Sequence, residues 1–363
     1  MTLLLAVDWS VVLASAVVAA VVSAAGSIIA AIVARRTDID VAKINAAIEA
    51  GKIRLSSELG EKSDAAKARR EYEYDARKRL YAECEPLLFQ SLDLIQGGRR
   101  RVESLARSAK SQEIGADGSG WLAHHNYYWQ STVYYLLAPL TSYRILQRRI
   151  TAIDLRLEPG LQGQYEILRL MFHGFSADFD LANADETPYE PDKADEGRPN
   201  WEWLRQHQPA VYGRQGFYGG TLDTVVEWLI TGTDAQRCKS FGEFCADLND
   251  GKPNTEEFMK NVDEVFLGFH PQRKPILWRV LVTQVVLYEA FMATQSQTQG
   301  FAHGLIAKVT NGFVSSENLA KLNWHDSSSD SSDDGEVRKP LQIAADYVSK
   351  KSSEISGLKA GPS

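Results

Sequence analysis

Between Val11 and Ala34 the chain carries no charged side chain. Such a run can cross a bilayer, serve as a signal peptide, or lie buried on all sides of a protein core. About 24 helical residues rising 1.5 Å each span roughly 36 Å, more than a hydrocarbon core of about 30 Å. Asp8 and Trp9 precede the run and Arg35-Arg36 follow it, which places an aromatic residue at one interface and the basic pair on the inner side. Ala14-Ser15-Ala16 and Ser23-Ala24-Ala25 resemble cleavage sites, but a signal peptide carries its positive charge before the apolar stretch. Residues 1–10 contain no Lys or Arg. The expectation is a single-pass membrane protein with an extracytoplasmic N-terminus (1–10), an anchor (11–34) and a cytoplasmic body, in a plasma membrane or a bacterial inner membrane.

The anchor is rich in Ala, Val, Ser and Gly rather than Leu and Phe. Ser15, Ala19 and Ser23 recur every four residues, as do Gly26 and Ala30. Small residues at that spacing let helix backbones approach closely, so a homo-oligomer assembled through these five positions is expected. Ser15, Ser23 and Ser27 would line a pore if several copies met.

The remaining totals narrow the function classes. Lys and Arg number 40 against 47 Asp and Glu, a net charge of -7 with a pI near 5.6, so no global basic field exists to hold nucleic acid. Cys84, Cys238 and Cys245 form no CxxC pair, and their odd number suits a reducing compartment. Two thiols seven apart without a histidine pair do not make a zinc site, and neither metal nor cofactor is expected.

Past the anchor, hydrophobic periodicity predicts an all-α chain. Val41, Ile44, Ile48, Leu55 and Leu59 mark a sparse stripe that thins to alanines among mixed charges, with Glu73 and Arg77 at ion-pair spacing. This is a helical stalk (35–79) of about 65 Å if continuous, with Gly51 and Gly60 as weak points. A helical subdomain (80–182) begins at Leu80, with Gly97-Gly98 read as a helix end, a loop over 108–120, a helix over 121–155 split or kinked at Pro139, and another over 161–181. An acidic, Pro-containing linker (183–200) leads to a second helical subdomain (201–324) with helices at 220–230, 240–248, 255–267 and 275–293. The tail (325–363) joins a Ser/Asp-rich stretch, too polar to order itself, to a short helix over 341–355 that either docks on the body or a partner through Leu341, Ala344, Ala345, Val348 and Ile355 or frays.

Charge is laid out unevenly. Residues 97–156 hold nine cations (Arg99, Arg100, Arg101, Arg107, Lys110, Arg144, Arg148, Arg149, Arg156) against four acids, nine minus four giving +5. Residues 178–196 hold eight acids against Lys193, a balance of -7. These patches can pair with each other, steer a partner, place the basic side toward anionic lipid, or remain solvated.

The candidate ligand-binding residues are Arg214, Gly216, Gly219, Gly220, Thr221 and His173. The run Gly213-Arg214-Gln215-Gly216-Phe217-Tyr218-Gly219-Gly220-Thr221 leads glycines into a helix N-terminus, where backbone N–H groups can face an anion. It lacks the GKS/T of a P-loop and the preceding strand of a dinucleotide fold. Glu166, Arg169 and His173 share a helix face, with Asp178 and Asp180 on or just past the same helix, an acid-base group or a salt-bridged surface. His124-His125-Asn126-Tyr127-Tyr128-Trp129 reads as packing, because adjacent helical histidines diverge by about 100° and cannot form an HExxH-type pair. No GxSxG or SxxK nucleophile motif occurs.

The leading expectation is therefore a membrane-anchored interaction, sensor or scaffold module with a cytoplasmic protein partner, acting without turnover. A membrane-bound enzyme or an anion or nucleotide binder at 213–221 is the alternative, together with an effector that assembles through its anchor to permeabilise the membrane.

Overall fold

Helix signals written into the chain account for most of the element boundaries. The computed structural model describes residues 38–150, 155–193, 199–232, 236–251, 253–295, 320–325 and 334–357. The expected N-terminus and anchor, with Ser15, Ala19, Ser23, Gly26 and Ala30, lie outside the described residues, as does the Ser/Asp stretch 326–333. The class is all-α: strands among the described residues are limited to one antiparallel pair, β1 (Ile230–Thr231) and β2 (Arg237–Cys238). The chain divides into two units, Met1–Tyr74 and Asp75–Ser363, each described by itself.

In the first unit the described residues form one helix, the beginning of α1 (Asp38–Lys110). The helix runs unbroken through Gly51 and Gly60, where an added Cβ would meet nothing within 4 Å. Side chains from Glu49 to Tyr72 are exposed, among them Ile53, Leu59 and Tyr72. Arg54–Glu58 and Arg69–Glu73 pair at i,i+4, 3.2 and 3.0 Å apart. Glu73 thus takes the arginine before it rather than Arg77. Pairs this exposed contribute about 0.3–0.5 kcal/mol each.

In the second unit α1 continues to Lys110, thirteen residues past Gly97, so the glycine pair does not end the helix. It is a packing device against α2 (Tyr127–Arg149). A Cβ on Gly97 would lie 2.5 Å from the Tyr135 ring, and one on Gly98 would lie 2.9 Å from the Tyr135 carbonyl oxygen and 3.0 Å from the Tyr288 hydroxyl. Pro139 neither splits α2 nor ends it. Having no N–H, it leaves unpaired the carbonyl four residues back, and that carbonyl belongs to Tyr135, the oxygen that Gly98 faces.

The loop after α1 closes on the start of α2, where Asn126 accepts hydrogen bonds from the N–H groups of Tyr128 and Trp129 at 3.0 and 3.1 Å. The sequence then runs through α3 (Pro159–Gly174), α4 (Asp178–Asn183), the short α5 (Trp201–His207) and α6 (Pro209–Tyr212), and α7 (Gly219–Trp228). The helix expected over 161–181 is broken between α3 and α4 by a turn at Phe175 to Ala177. Ser240 and Glu243 form a reciprocal capping box on α8 (Phe241–Asn249). α9 (Thr255–Phe266) and α10 (Pro275–Gln295) follow, the latter opening on its proline as helix starts favour.

α10 is the axis of the body. By length and composition alone, with a mean hydropathy of 1.5, its stretch Pro275–Thr294 is apolar enough to cross a membrane, yet 83% of it is buried within the protein. It packs on α3, α4 and most extensively on α11 (Asp334–Gly357), so helices from both sides of the 183–200 segment share one core. α11 is longer than the helix expected over 341–355 and docks through the expected face, with Leu341, Ala344, Ala345 and Val348 buried.

Lys274 closes the end of α9. Its buried ammonium donates to the carbonyls of Glu264 and Val265 at 2.8 and 2.6 Å, and burial, reinforced by Arg273 and Arg205, pushes its pKa down to about 7. The unfolded chain, with an ordinary lysine near 10.4, binds more protons above that point, so this residue makes stability rise with pH. Burial raises Cys84 and Cys238 to about 11 and 12, which works in the opposite direction above about pH 8.5. Denaturant titrations are expected to show unfolding free energy climbing between about pH 7 and 8.5. Lys274→Met should flatten that climb, and a slope unchanged in the variant would refute the assignment.

Candidate functional site

The segment Gly213 to Thr221 folds into a buried polar knot followed by an exposed helix start. Arg214 and Gln215 are buried, as are Gly213, Gly216 and Phe217, whereas Tyr218, Gly219 and Gly220 are exposed and Thr221 is half-buried. The Arg214 Nε lies 3.7 Å from Asp178 and donates to the Gly216 carbonyl at 3.3 Å, while Nη1 donates to Asp192 at 3.2 Å. Its guanidinium also sits 3.5 Å from the centre of the Tyr218 ring, a cation–π stack. Asp192 accepts in turn from the Tyr218 hydroxyl.

Asp178 is completely buried, and burial raises its carboxyl pKa even though the Tyr189 hydroxyl and Arg214 favour the ionised form. The Tyr189 hydroxyl donates to Asp178 Oδ2 at 2.6 Å and accepts from the Gln215 N–H at 2.9 Å. Gly216 is required for this closeness, because a Cβ there would fall 2.7 Å from the Asp178 side chain.

Gln215 carries the knot to the core axis. Its Oε1 accepts from the N–H groups of Ile276 and Leu277 at 2.9 and 3.3 Å, capping α10 from 61 positions away, and its Nε2 donates to Pro209 and Ala210. Arg214 thus has its donors turned inward, and the glycines at 219 and 220 begin α7 with no side-chain cap. The chemistry supported here is positioning of α10 and α4 rather than capture of an anion by Arg214.

His173 ends α3 on an exposed turn and is not brought to Arg214 by any contact among the described residues. Desolvation lowers its pKa first, Arg169 and Lys351 add to the effect, and Asp223 opposes it. Glu166, from the same expected face, accepts from Gln162 at 2.9 Å. The histidine-aromatic run splits its roles: His125 pairs with Asp263 at 2.8 Å and packs edge-on against Trp129, while Asn126 is the α2 cap. Cys238 sits buried on β2, Cys245 is within 3.4 Å of Gln130, and no cluster of potential metal ligands occurs among the described residues.

The acidic segment spends its charge within the body. Asp178 and Asp192 meet Arg214, Asp185 meets Arg279 and Lys339, and Asp180 meets Lys351 at 3.6 Å. It does not pair with the basic stretch 97–156 among the described contacts.

Comparison with family models, with curated proteins and with solved structures finds no match.

The feature that sequence reasoning passed over is a cleft between α1, α2 and the start of α8. Its signal was the local excess of cations in residues 97–156, but which of them stay unpaired depends on acids brought in from elsewhere in the chain.

Proposed function

We propose that the protein is a membrane-tethered helical interaction module whose body faces the cytoplasm and binds a partner there. The observation that carries this reading is the charge-free run Val11 to Ala34 closed by Arg35-Arg36, which has the length and flanking charge of a single-pass anchor. The helix α1 begins two residues after that pair, so the tether leads directly into the first exposed helical unit. Support for binding rather than turnover comes from the buried charges: Arg214, Arg279 and Lys274 are each committed to internal carboxylates or carbonyls. The small residues Ser15, Ala19, Ser23, Gly26 and Ala30 favour self-association through the same segment.

Membranes from cells expressing the full chain, washed with alkaline carbonate, should retain it in the pellet. A chain lacking residues 1–34 should appear in the supernatant. Recovery of the full chain in the supernatant would overturn the reading.

A further inference from the structure

Four of the nine cations of residues 97–156 meet carboxylates among the described residues. Arg99 reaches Glu103 and Glu289 at 3.2 and 2.6 Å, Arg144 reaches Asp223 at 3.2 Å, Arg148 pairs with Glu227, and Arg149 lies 3.6 Å from Glu83. Arg100 and Arg101, side by side on α1, have no carboxylate at ion-pair distance among the described residues. Both line the cleft, which has a volume of about 640 Å³ and also includes Asp93. Two cations minus that one acid leave the wall at +1.

Arg101 is half-buried. Burial lowers its pKa, with the Tyr127, Tyr128 and Tyr135 phenols nearby, and its polar contact is one hydrogen bond of 2.6 Å donated to the Ser131 hydroxyl. A partly desolvated guanidinium with no anion beside it has lost hydration that a bound carboxylate or phosphate would replace. Arg100 beside it is exposed.

The cleft is also lined by aromatic rings. Tyr135 and Phe241 lie stacked, 5.9 Å apart at 21°, with Tyr134 edge-on to Tyr135. Gly97 seats the Tyr135 ring, since a Cβ there would collide with it. The nearby N-terminus of α8 is already sealed: Ser240 and Glu243 cap it, and Arg237 and Ser240 hold the Glu243 carboxyl down to about 2. The anion receptor is therefore the arginine pair and not the helix end.

We propose that this cleft binds a mononucleotide, its base against the Tyr135–Phe241 wall and its phosphate on Arg100 and Arg101. A cavity of this size is in the range that holds such ligands and far exceeds an inorganic phosphate. Aromatic faces accept any base by stacking, and a guanidinium fork suits phosphate oxygens. The overall charge of -7 disfavours a long polyanion. The site shares no residue with the segment 1–34, so this proposal and the membrane tether stand or fall separately.

The test is calorimetric titration of the full chain in detergent with AMP, GMP, CMP and UMP, with the four matching nucleosides and inorganic phosphate as halves of the ligands. At least one nucleotide should bind roughly tenfold or more tightly than its separate halves. Arg100→Gln, at an exposed position without an ion-pair partner, should keep the wild-type melting temperature and weaken that nucleotide roughly tenfold. Phe241→Ala should weaken nucleotide and nucleoside alike. Absence of binding by all four nucleotides, affinity unaltered by Arg100→Gln and Arg101→Gln together, or tighter binding of a twelve-residue oligothymidine than of any mononucleotide would each overturn the proposal.

Discussion

Replacing Arg214 by alanine is expected to destabilise the body by roughly 3–5 kcal/mol, the usual cost of stripping one partner from a buried ion pair. Arg214 and Asp178 have side chains only 7% and 1% exposed, so neither water nor salt can substitute for the missing cation. Burial already raises the Asp178 pKa, and the variant should drive that carboxyl to its neutral form, losing part of the Tyr189 and Gln215 arrangement with it. Asp178→Asn keeps the shape and leaves Arg214 with Asp192 and the Gly216 carbonyl, so it should cost less, about 1–2 kcal/mol. Denaturant unfolding followed by tryptophan fluorescence checks both. If Arg214→Ala unfolds at the wild-type midpoint, the guanidinium is not a structural clamp.

Gly98→Leu should cost about 3 kcal/mol, and even Gly98→Ala should destabilise although alanine is the better helix former by about 1 kcal/mol. The obstacle is backbone: the Tyr135 carbonyl cannot swing aside, and the Tyr288 ring beyond it is fully buried. Gly97→Ala meets the Tyr135 ring instead, a side chain with some freedom toward the cleft, and should cost less despite the closer nominal overlap. Gly60→Ala is the control within the same helix, with open space around the new methyl, and should be neutral or slightly stabilising. The same fluorescence titration ranks all four variants. A stabilised Gly98→Ala would show that α1 and α2 are not in close contact at this point.

What the sequence made legible follows from how local each signal is. Pro275 opening α10, Ser240 with Glu243 at the head of α8, and the apolar face of α11 are all written within a few residues of where they act. The body's all-α class follows from the same short-range periodicity. The glycine pair misleads because lack of a Cβ serves equally to end a helix and to admit a neighbour. Only the position of Tyr135, 38 residues beyond Gly97 in the chain, distinguishes the two uses. Likewise Arg214 looks like an anion receptor until Asp178 and Asp192 are brought to it, and Gln215 gives no hint that it caps a helix 61 positions on. Among the cations of 97–156, pairing with Asp223, Glu227 and Glu289 accounts for Arg144, Arg148 and Arg99, and the lining of the cleft then picks out Arg100 and Arg101. That sorting is a property of the fold.

The seating of α10 against α11 also sets an order of events during synthesis. α10 is apolar nearly all round and finds its largest partner in a helix whose buried Leu341 lies 46 residues after Gln295. At 5–20 residues per second, ribosomes take roughly 2–9 s to make that stretch. For those seconds the most hydrophobic face of the body waits for its cover. A newborn chain of this kind is adhesive through that interval, and holdase chaperones have their opportunity there.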